Sequence, residues 1–211
     1  NYCFPRVTNS DYVEKIIKPH DEGKPAMLLH SAMHSFRVPS DRWFQFCGVQ
    51  SEAHDPDASF GLEWMRPDHE ILEGLVPWKI DSDELYHVKK IWPGVTGLAD
   101  AQSVLSGQRH PVAWSHEYGS ADARVFATSV GSRIESMMQP QYLDLVTRGF
   151  LWALDSLSDE NFISVPSEDS LSSLSLELPK LQLPKPGSTA ALNAGVRVVS
   201  LPSQPHVGVE Q

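Results

Sequence analysis

Apolar and polar residues follow two different spacings near the start of the chain, one helical and one extended. The stretch "SDYVEKIIKPHDEG", residues 10–23, places its apolar side chains on one face and predicts a short amphipathic helix. Ser10 is the predicted cap and Gly23 the predicted stop. The wholly apolar run "AMLL", residues 26–29, then predicts a strand covered on both faces, as in a parallel sheet.

Further along the chain, short helical and extended patterns continue to alternate. "SDRWFQFCG", residues 40–48, predicts a second short helix that ends at its glycine. "FGLEWMRPDH", residues 60–69, and "DELYHV", residues 83–88, are predicted to be extended. "HPVAWSHEYGSADARVFATSV", residues 110–130, predicts two strands joined by a short glycine-containing connection.

The strongest helical pattern is "PQYLDLVTRGFLWALD", residues 140–155, in which Pro140 suits the first turn. Its predicted buried stripe consists of Leu143, Val146, Phe150 and Leu154, widened by Tyr142, Leu145 and Trp152. With the alternation before it, this helix indicates an α/β fold, a mostly parallel sheet with helices on its faces.

Two predictions concern the ends of the domain. "NYCF", residues 1–4, is expected to be a strand beside "AMLL", which would then be central in the sheet. An open parallel sheet normally starts with a strand and a crossover helix, so we expect the domain, residues 1–155, to be N-terminally incomplete. Residues 156–211 contain a single aromatic residue, Phe162, and many Ser, Leu and Pro residues, which predicts an irregular or loosely packed linker or tail.

Composition narrows the possible partners. The 211 residues carry a net charge of −10 with a sequence pI near 5.3, so there is no basic surface for nucleic acid or for an anionic membrane. No apolar run approaches the roughly 20 residues that span a bilayer, and no signal peptide is visible. Cys3 and Cys47 have no metal-site spacing and are interpreted as buried thiols. The compartment, cytoplasm or periplasm, is left open.

Histidines supply the candidate chemistry. His30 directly follows "AMLL", and ligands of open α/β sheets bind at the carboxyl ends of the strands. Its imidazole could act as an acid or base there, or could simply bond to backbone at a turn. His34 lies four residues later, and His54 could complete a zinc site with this pair. No Glu follows the first histidine, as it would in a zincin, so no metal is expected.

Four stretches, in this order, resemble the trehalose-utilisation (ThuA-like) family of the class I glutamine amidotransferase-like superfamily. They are "LLHSAMHSF", "WFQFCGVQSEAHDP", "PDHEILEGLVPWKIDSDELYHV" and "HPVAWSHEYGSADARVFATSVG" followed by "LVTRGFLWALD". The resemblance covers about residues 1–155 and implies a flavodoxin-like three-layer sandwich. It also implies a bacterial protein of carbohydrate metabolism that acts on oxidised (keto) derivatives of trehalose or related disaccharides, as a hydrolase or lyase.

The resemblance also implies the site residues. His30, Glu84 and Glu135 are the predicted catalytic residues, and His34, His54, Tyr86 and Ser132 are the predicted sugar-binding residues. In "SVGSRIES", Ser132 stands where the family usually has a histidine. No cysteine nucleophile follows "AMLL", so glutamine hydrolysis through a thioester is not expected.

Two further hypotheses belong to other functional classes. The loss of the family's second histidine is compatible with a carbohydrate-binding or scaffold module without chemistry. A nucleotide or flavin binder of flavodoxin type is disfavoured, because no glycine-rich phosphate loop is visible, and no cofactor is expected. The expected ligand is a small-molecule sugar, and the oligomeric state is not indicated.

Overall fold

The computed structural model describes residue 4, residues 6–37 and residues 40–158, all within one compact unit. The helices in this part are α1 (Ser10–Asp21), α2 (Arg42–Cys47), α3 (Ile134–Met137) and α4 (Pro140–Ala153), with short 3₁₀ turns at His30–His34 and Glu70–Leu72. The strands are β1 (Ala26–Leu29), β2 (Val49–His54), β3 (Ala58–Gly61), β4 (Glu63–Trp64), β5 (Lys79–Asp83), β6 (Tyr86–Ile91), β7 (Thr96–Gln102), β8 (Arg109–Tyr118) and β9 (Ala123–Thr128).

The main sheet has the strand order β1-β9-β8-β7-β4 in the described residues. The α/β class is confirmed, but the prediction of a mostly parallel sheet is wrong. Only β1 and β9 are parallel, whereas the other three pairings are antiparallel. The reason is the connections, because β7, β8 and β9 follow one another through short turns that can join only antiparallel neighbours. Two small antiparallel pairs, β2 with β6 and β3 with β5, lie outside this sheet.

The pairing of β1 with β9 positions the site. Leu29 is in register with Thr128, so both strands end at the same edge of the sheet. Among the described strands β1 is an edge strand, which does not support the predicted central position of "AMLL". The strand expected beside it, "NYCF", lies outside the described residues except for Phe4.

Helices cover both faces of the sheet, so the three-layer arrangement is confirmed. On one face, α1 and α2 bury Ile17 and Trp43 against Val125 of β9. On the other face, α4 packs on the next residue of the same strand, Phe126. Each of these large apolar side chains contributes roughly 1.5–3 kcal/mol when fully buried.

The predicted helices near the start of the chain are confirmed with one change. Asn9, not Ser10, caps α1, and its side chain accepts a hydrogen bond from the backbone N–H of Tyr12 at 3.2 Å. Ser10 is the first helical residue instead. Helix α2 ends at Gly48, as its sequence predicts.

Helix α4 is confirmed in extent, and the residues predicted to widen its buried stripe, Tyr142, Leu145 and Trp152, are buried. The predicted centre of the stripe is wrong. Leu143, Phe150 and Leu154 of the predicted stripe are 43–47% exposed. The buried face comprises Tyr142, Leu145, Arg148, Gly149, Trp152 and Ala153. A Cβ atom at Gly149 would overlap the ring of Phe126, so the helix lies close to the sheet because this position has no side chain.

The predicted linker or tail falls almost entirely outside the described residues, which end at residue 158. Its structure, the boundary at residue 155 and the expected missing first strand therefore stay predictions. In the described part of the chain, every helix is too short or too polar to cross a bilayer.

Candidate functional site

The site begins at the corner where β1 ends. His30 follows the last residue of β1, opens the 3₁₀ turn and has a backbone φ of +49°. A histidine in this region of backbone space is held against its intrinsic preference, by roughly 1–3 kcal/mol. The strained corner lies where β1 and β9, the parallel pair of the sheet, both end.

The His30 ring is held between a backbone carbonyl and a carboxylate. Its Nδ1 lies 3.0 Å from the carbonyl oxygen of Ser129, which can only accept, so Nδ1 carries the hydrogen of this bond. Nε2 is then the basic nitrogen of the neutral ring. It faces Oε2 of Glu84 at 3.6 Å, and the two side chains are 13% and 29% exposed. His30 therefore presents the basic nitrogen of its neutral ring beside a carboxylate.

A cavity of about 660 Å³ opens around this pair. Its volume lies within the range of small-molecule sites. It is lined by His30, Ser31, His34, Ser35, His54, Asp57, Glu84, Tyr86, Gly131, Ser132 and Arg133. Six of the seven predicted site residues are therefore brought together at one cavity.

Tyr86 is the aromatic centre of this cavity wall. Its ring centroid lies 5.3 Å from that of His30, 5.6 Å from that of His34 and 5.3 Å from that of His54. The tyrosine is the first residue of β6 and is buried. It fixes the spacing of the three imidazoles, which come from two separate parts of the chain.

The pKa of His34 differs from that of a free histidine side chain. Burial, reinforced by the charges of Arg37 and His54, lowers the pKa of His34 to about 4. Its Nδ1 lies 2.9 Å from Nη2 of Arg37, and a guanidinium can only donate. His34 is therefore neutral near pH 7, and its ring keeps one N–H that can donate a hydrogen bond. Its Nδ1 also lies 2.7 Å from the hydroxyl of Ser51.

His54 lies on the other side of Glu84. Its Nδ1 is 4.0 Å from Oε1 of Glu84 and 2.8 Å from the carbonyl oxygen of Asp55. The carboxylate of Glu84 thus lies between two imidazoles, with one oxygen toward each. Glu84 itself stands in the two-residue break between β5 and β6, where no ladder bond constrains its orientation.

Asp83, the buried residue before Glu84, holds part of the cavity wall in place by hydrogen bonds to backbone. Its carboxylate accepts hydrogen bonds from the backbone N–H groups of Glu84, Gly131 and Ser132, at 2.8, 3.1 and 3.1 Å. The carboxylate of Asp83 therefore connects the backbone of Glu84 to the loop that follows β9. Below that loop, burial and the charge of Asp83 raise the pKa of Tyr142 to about 12, so this hydroxyl stays protonated.

Gly131 is required in that loop for two reasons. Its φ is +120°, which side-chain-bearing residues rarely adopt, and a Cβ there would lie 2.8 Å from the Tyr142 hydroxyl. Ser132, at the position where the resemblance places a histidine in other members, is next to it and lines the cavity.

An ion pair bridges two loops at the cavity. Arg133, from the loop after β9, bonds to the carboxylate of Asp57, from the loop between β2 and β3. Among the described residues that line the cavity, Arg133 is the only Lys or Arg, and Asp57 neutralises its charge. The charges of Arg133 and Asp57 cancel. When the imidazoles are neutral, the carboxylate of Glu84 therefore leaves the residues that line the cavity with a net charge of −1.

Glu135 is the predicted catalytic residue that the structure does not bring to His30. It lines a second cavity of about 470 Å³, together with Arg133 and four residues of β5, α3 and the turn before α4. The reason is that α3 begins at Ile134 and carries Glu135 in its first turn, away from the loop at Gly131.

The residues that sequence reasoning missed are Asp57, Asp83 and Arg133. Asp83 is part of the "DELY" stretch, so its position next to Glu84 offered a signal. Asp57 and Arg133 are 76 residues apart and offered none. The residues that line the cavity do not include the tryptophans Trp43, Trp64, Trp78 and Trp92, which pack elsewhere in the described part of the chain.

The alternative zinc site gains no support. Among the described residues, no group of three or more His, Cys, Asp or Glu side chains is arranged to hold a metal ion. Cys47 is fully buried, and burial raises the pKa of its thiol well above the usual range, so it is inert as a nucleophile.

Fold and site together define an α/β protein with a cavity lined by histidines and a glutamate at the carboxyl ends of its parallel strands β1 and β9. The family model for trehalose utilisation (ThuA) matches residues 5–153, and the chain belongs to this family. No curated protein matches the chain.

Two solved structures share the fold. A ThuA-like protein from Parabacteroides merdae has a TM-score of 0.60 and 19% identity, and the match covers 74% of this chain and 68% of that one. A ThuA-like protein from Bacteroides uniformis has a TM-score of 0.59 and 13% identity, with 70% and 65% covered. At these identities the likeness concerns the fold, and it agrees with a bacterial family.

Proposed function

We propose that the protein acts on an oxidised (keto) derivative of a disaccharide by acid–base chemistry, with His30 as the base and Glu84 as its partner. The observation that carries the proposal is the His30–Glu84 pair, 3.6 Å apart on the wall of a 660 Å³ cavity. The bond from Nδ1 of His30 to the carbonyl of Ser129 supports it further, because this bond fixes the tautomer and aims a basic nitrogen at the cavity.

The chemistry requires no covalent nucleophile. A ketone acidifies the C–H bond on the neighbouring carbon, and Nε2 of His30 would take that proton. If the glycosidic carbon is the next one along, the enolate forms a carbon–carbon double bond as the glycosidic C–O bond breaks. The departing oxygen takes a proton from the imidazolium, which restores the neutral base, and water can then add to the double bond.

The other histidines have complementary roles in this proposal. His34, held neutral by a pKa of about 4, would donate its N–H to the ketone oxygen, on which negative charge develops. Glu84 would stabilise the positive charge that His30 acquires. Arg133 is already neutralised by Asp57, so the cavity favours an uncharged sugar over a sugar phosphate.

The test is a comparison of a keto-disaccharide with its parent sugar. We expect the protein to exchange the proton next to the ketone with deuterium from solvent, and to release the second sugar, only with the keto form. The matched variant is His30→Asn, because Asn tolerates a positive φ better than Ala does. It should lose both exchange and release while it still binds the ligand.

The non-catalytic alternative gives a different result. A carbohydrate-binding module would bind the keto-disaccharide or its parent without any deuterium exchange, and His30→Asn would weaken binding only. Exchange that persists at the wild-type rate in His30→Asn would contradict the role of His30.

A further inference from the structure

Glu135 and Arg133 point to a second binding site beside the cavity just described. Arg133 lines both cavities and is therefore their common wall. The second cavity, about 470 Å³, is lined by Asp81, Ser82, Arg133, Glu135, Ser136 and Gln139. We infer that this cavity binds the second ring of an uncharged disaccharide whose first ring lies at His30; the inference rests on the proposed function.

Two polar side chains of the second cavity, Gln139 and Ser136, are held by hydrogen bonds within the protein. Gln139 accepts a hydrogen bond from the indole N–H of Trp78 at 3.0 Å and donates one to the carbonyl of Lys79 at 3.3 Å. Ser136 is buried and donates to the carbonyl of Ser82 at 3.2 Å. A ligand would therefore meet a surface whose amide and hydroxyl groups are already fixed by the protein.

The carboxylates of this cavity are free to accept hydrogen bonds. Asp81 and Glu135 make no side-chain hydrogen bond or ion pair with any other residue that the structure describes, unlike Asp57, which holds Arg133. Sugar hydroxyls are donors that suit ionised carboxylates, and such bonds are stronger than neutral ones. The acids also repel a negatively charged group, which matches the net negative first cavity.

The position of Arg133 between the two cavities supports the idea that one ligand occupies both. Arg133 lies between them while its charge is satisfied by Asp57, so a neutral ligand can pass this side chain without leaving an unpaired cation. A ligand that occupies both cavities would still place its reacting ring at His30.

The experiment measures binding separately from chemistry. The ligands are a keto-disaccharide and the methyl glycoside of its keto ring, and binding is measured by calorimetry on the His30→Asn protein. We expect the disaccharide to bind more tightly. Glu135→Gln and Asp81→Asn should each weaken disaccharide binding by about tenfold, as for the loss of one charged hydrogen bond, and leave the methyl glycoside unchanged.

The control is Glu117→Gln, an exposed glutamate of β8 that lines neither cavity. Equal affinity for the two ligands, equal weakening of both by Glu135→Gln, or no binding of either ligand would overturn the second subsite. If the affinities differ as expected but wild-type protein turns over neither ligand, the proposed chemistry fails and the subsite stands.

Discussion

Glu84 is the residue on which the chemistry of the site depends most directly, because its two carboxylate oxygens face different imidazoles. One lies 3.6 Å from His30 and the other 4.0 Å from His54. The carboxylate is therefore placed to act together with either ring in the proposed chemistry. The neighbouring Asp83 has a different task, since its oxygens bond to backbone and not to a side chain of the cavity.

Replacing Glu84 by Gln should lower turnover with little effect on sugar affinity. The amide has nearly the shape of the carboxylate but cannot stabilise the imidazolium that forms on His30. We expect kcat on the keto-disaccharide to fall by about 10²-fold or more, the usual scale for loss of an acid–base partner. Glu52→Gln, an exposed glutamate of β2 outside the cavity, should leave kcat unchanged. An unchanged kcat in Glu84→Gln would show that the pair is only structural.

Replacing Asp83 by Asn should lower the stability of the protein. Three backbone N–H groups converge on this carboxylate, and an amide would oppose at least one of them with its own N–H. We expect a loss of about 1–3 kcal/mol in the free energy of unfolding, measured by urea denaturation. Asp81→Asn, two residues earlier on β5 and exposed, should change stability by less than about 0.5 kcal/mol. Similar effects of the two variants would mean that the bonds to the loop contribute little.

At the scale of elements, α4 shows which features of a helix the spacing of apolar residues predicts and which it does not. The extent of the helix follows from its apolar spacing and from Pro140 at its start. Its buried face does not, because counting apolar residues overlooks Gly149 and Arg148, which both face inward. Arg148 is accommodated there by bonds to the carbonyls of Ile71 and Glu70, at 2.8 and 2.6 Å. No local sequence signal reports such distant partners.

Gly149→Ala should therefore destabilise the protein, although helices usually favour Ala over Gly. Helix propensity alone predicts a gain of about 1 kcal/mol for this change. The added methyl would instead overlap the ring of Phe126 and push α4 away from β9, at a cost of roughly 1–3 kcal/mol. The sign of the shift in the urea midpoint decides between the two effects. Thr147→Ala, at an exposed position of the same helix, is the control and should stay within about 0.5 kcal/mol of wild type.

At the scale of the whole molecule, the sequence predicts the elements better than their arrangement. Helices α1, α2 and α4, strand β1 and the hairpin of β8 and β9 follow from local patterns. The direction of the sheet does not follow from alternation of helix and strand, since β7 to β9 form an antiparallel series without helices between them. Only the family resemblance predicts that His30, His54 and Glu84 lie close together. Their proximity depends on pairings between strands that are distant in the sequence.

The titration of several histidines makes the stability of the whole domain depend on pH. Burial is the main cause that lowers the pKa of His34, to about 4, and that of His69, His110 and His116 as well. In the unfolded chain these side chains have a pKa near 6.5. Below that pH the unfolded state binds more protons than the folded state, so stability falls as the pH falls from about 6.5 toward 4.

Asp55 extends the same trend to lower pH. Burial alone would raise its pKa, but hydrogen bonds from His87, Ser103 and the backbone of Val104 outweigh this and lower it. Its contribution is present above the unfolded pKa of about 3.9 and is lost as the pH falls toward the lower, folded value. Acid therefore weakens the domain first through the buried histidines and then through this carboxylate.

We expect the midpoint of thermal unfolding to fall by roughly 5 °C or more between pH 7 and pH 5, and to fall further at pH 4. The measurement is a thermal melt followed by circular dichroism at constant ionic strength. His116→Gln is the informative variant, since His116 is buried and bonds through Nε2 to the carbonyl of Phe46, and the longer amide of Gln can place an N–H where Nε2 lies. It should melt at a lower temperature than wild type at pH 7 and lose less on acidification. A midpoint that stays constant or rises from pH 7 to pH 5 would contradict the idea that these histidines are held neutral by burial.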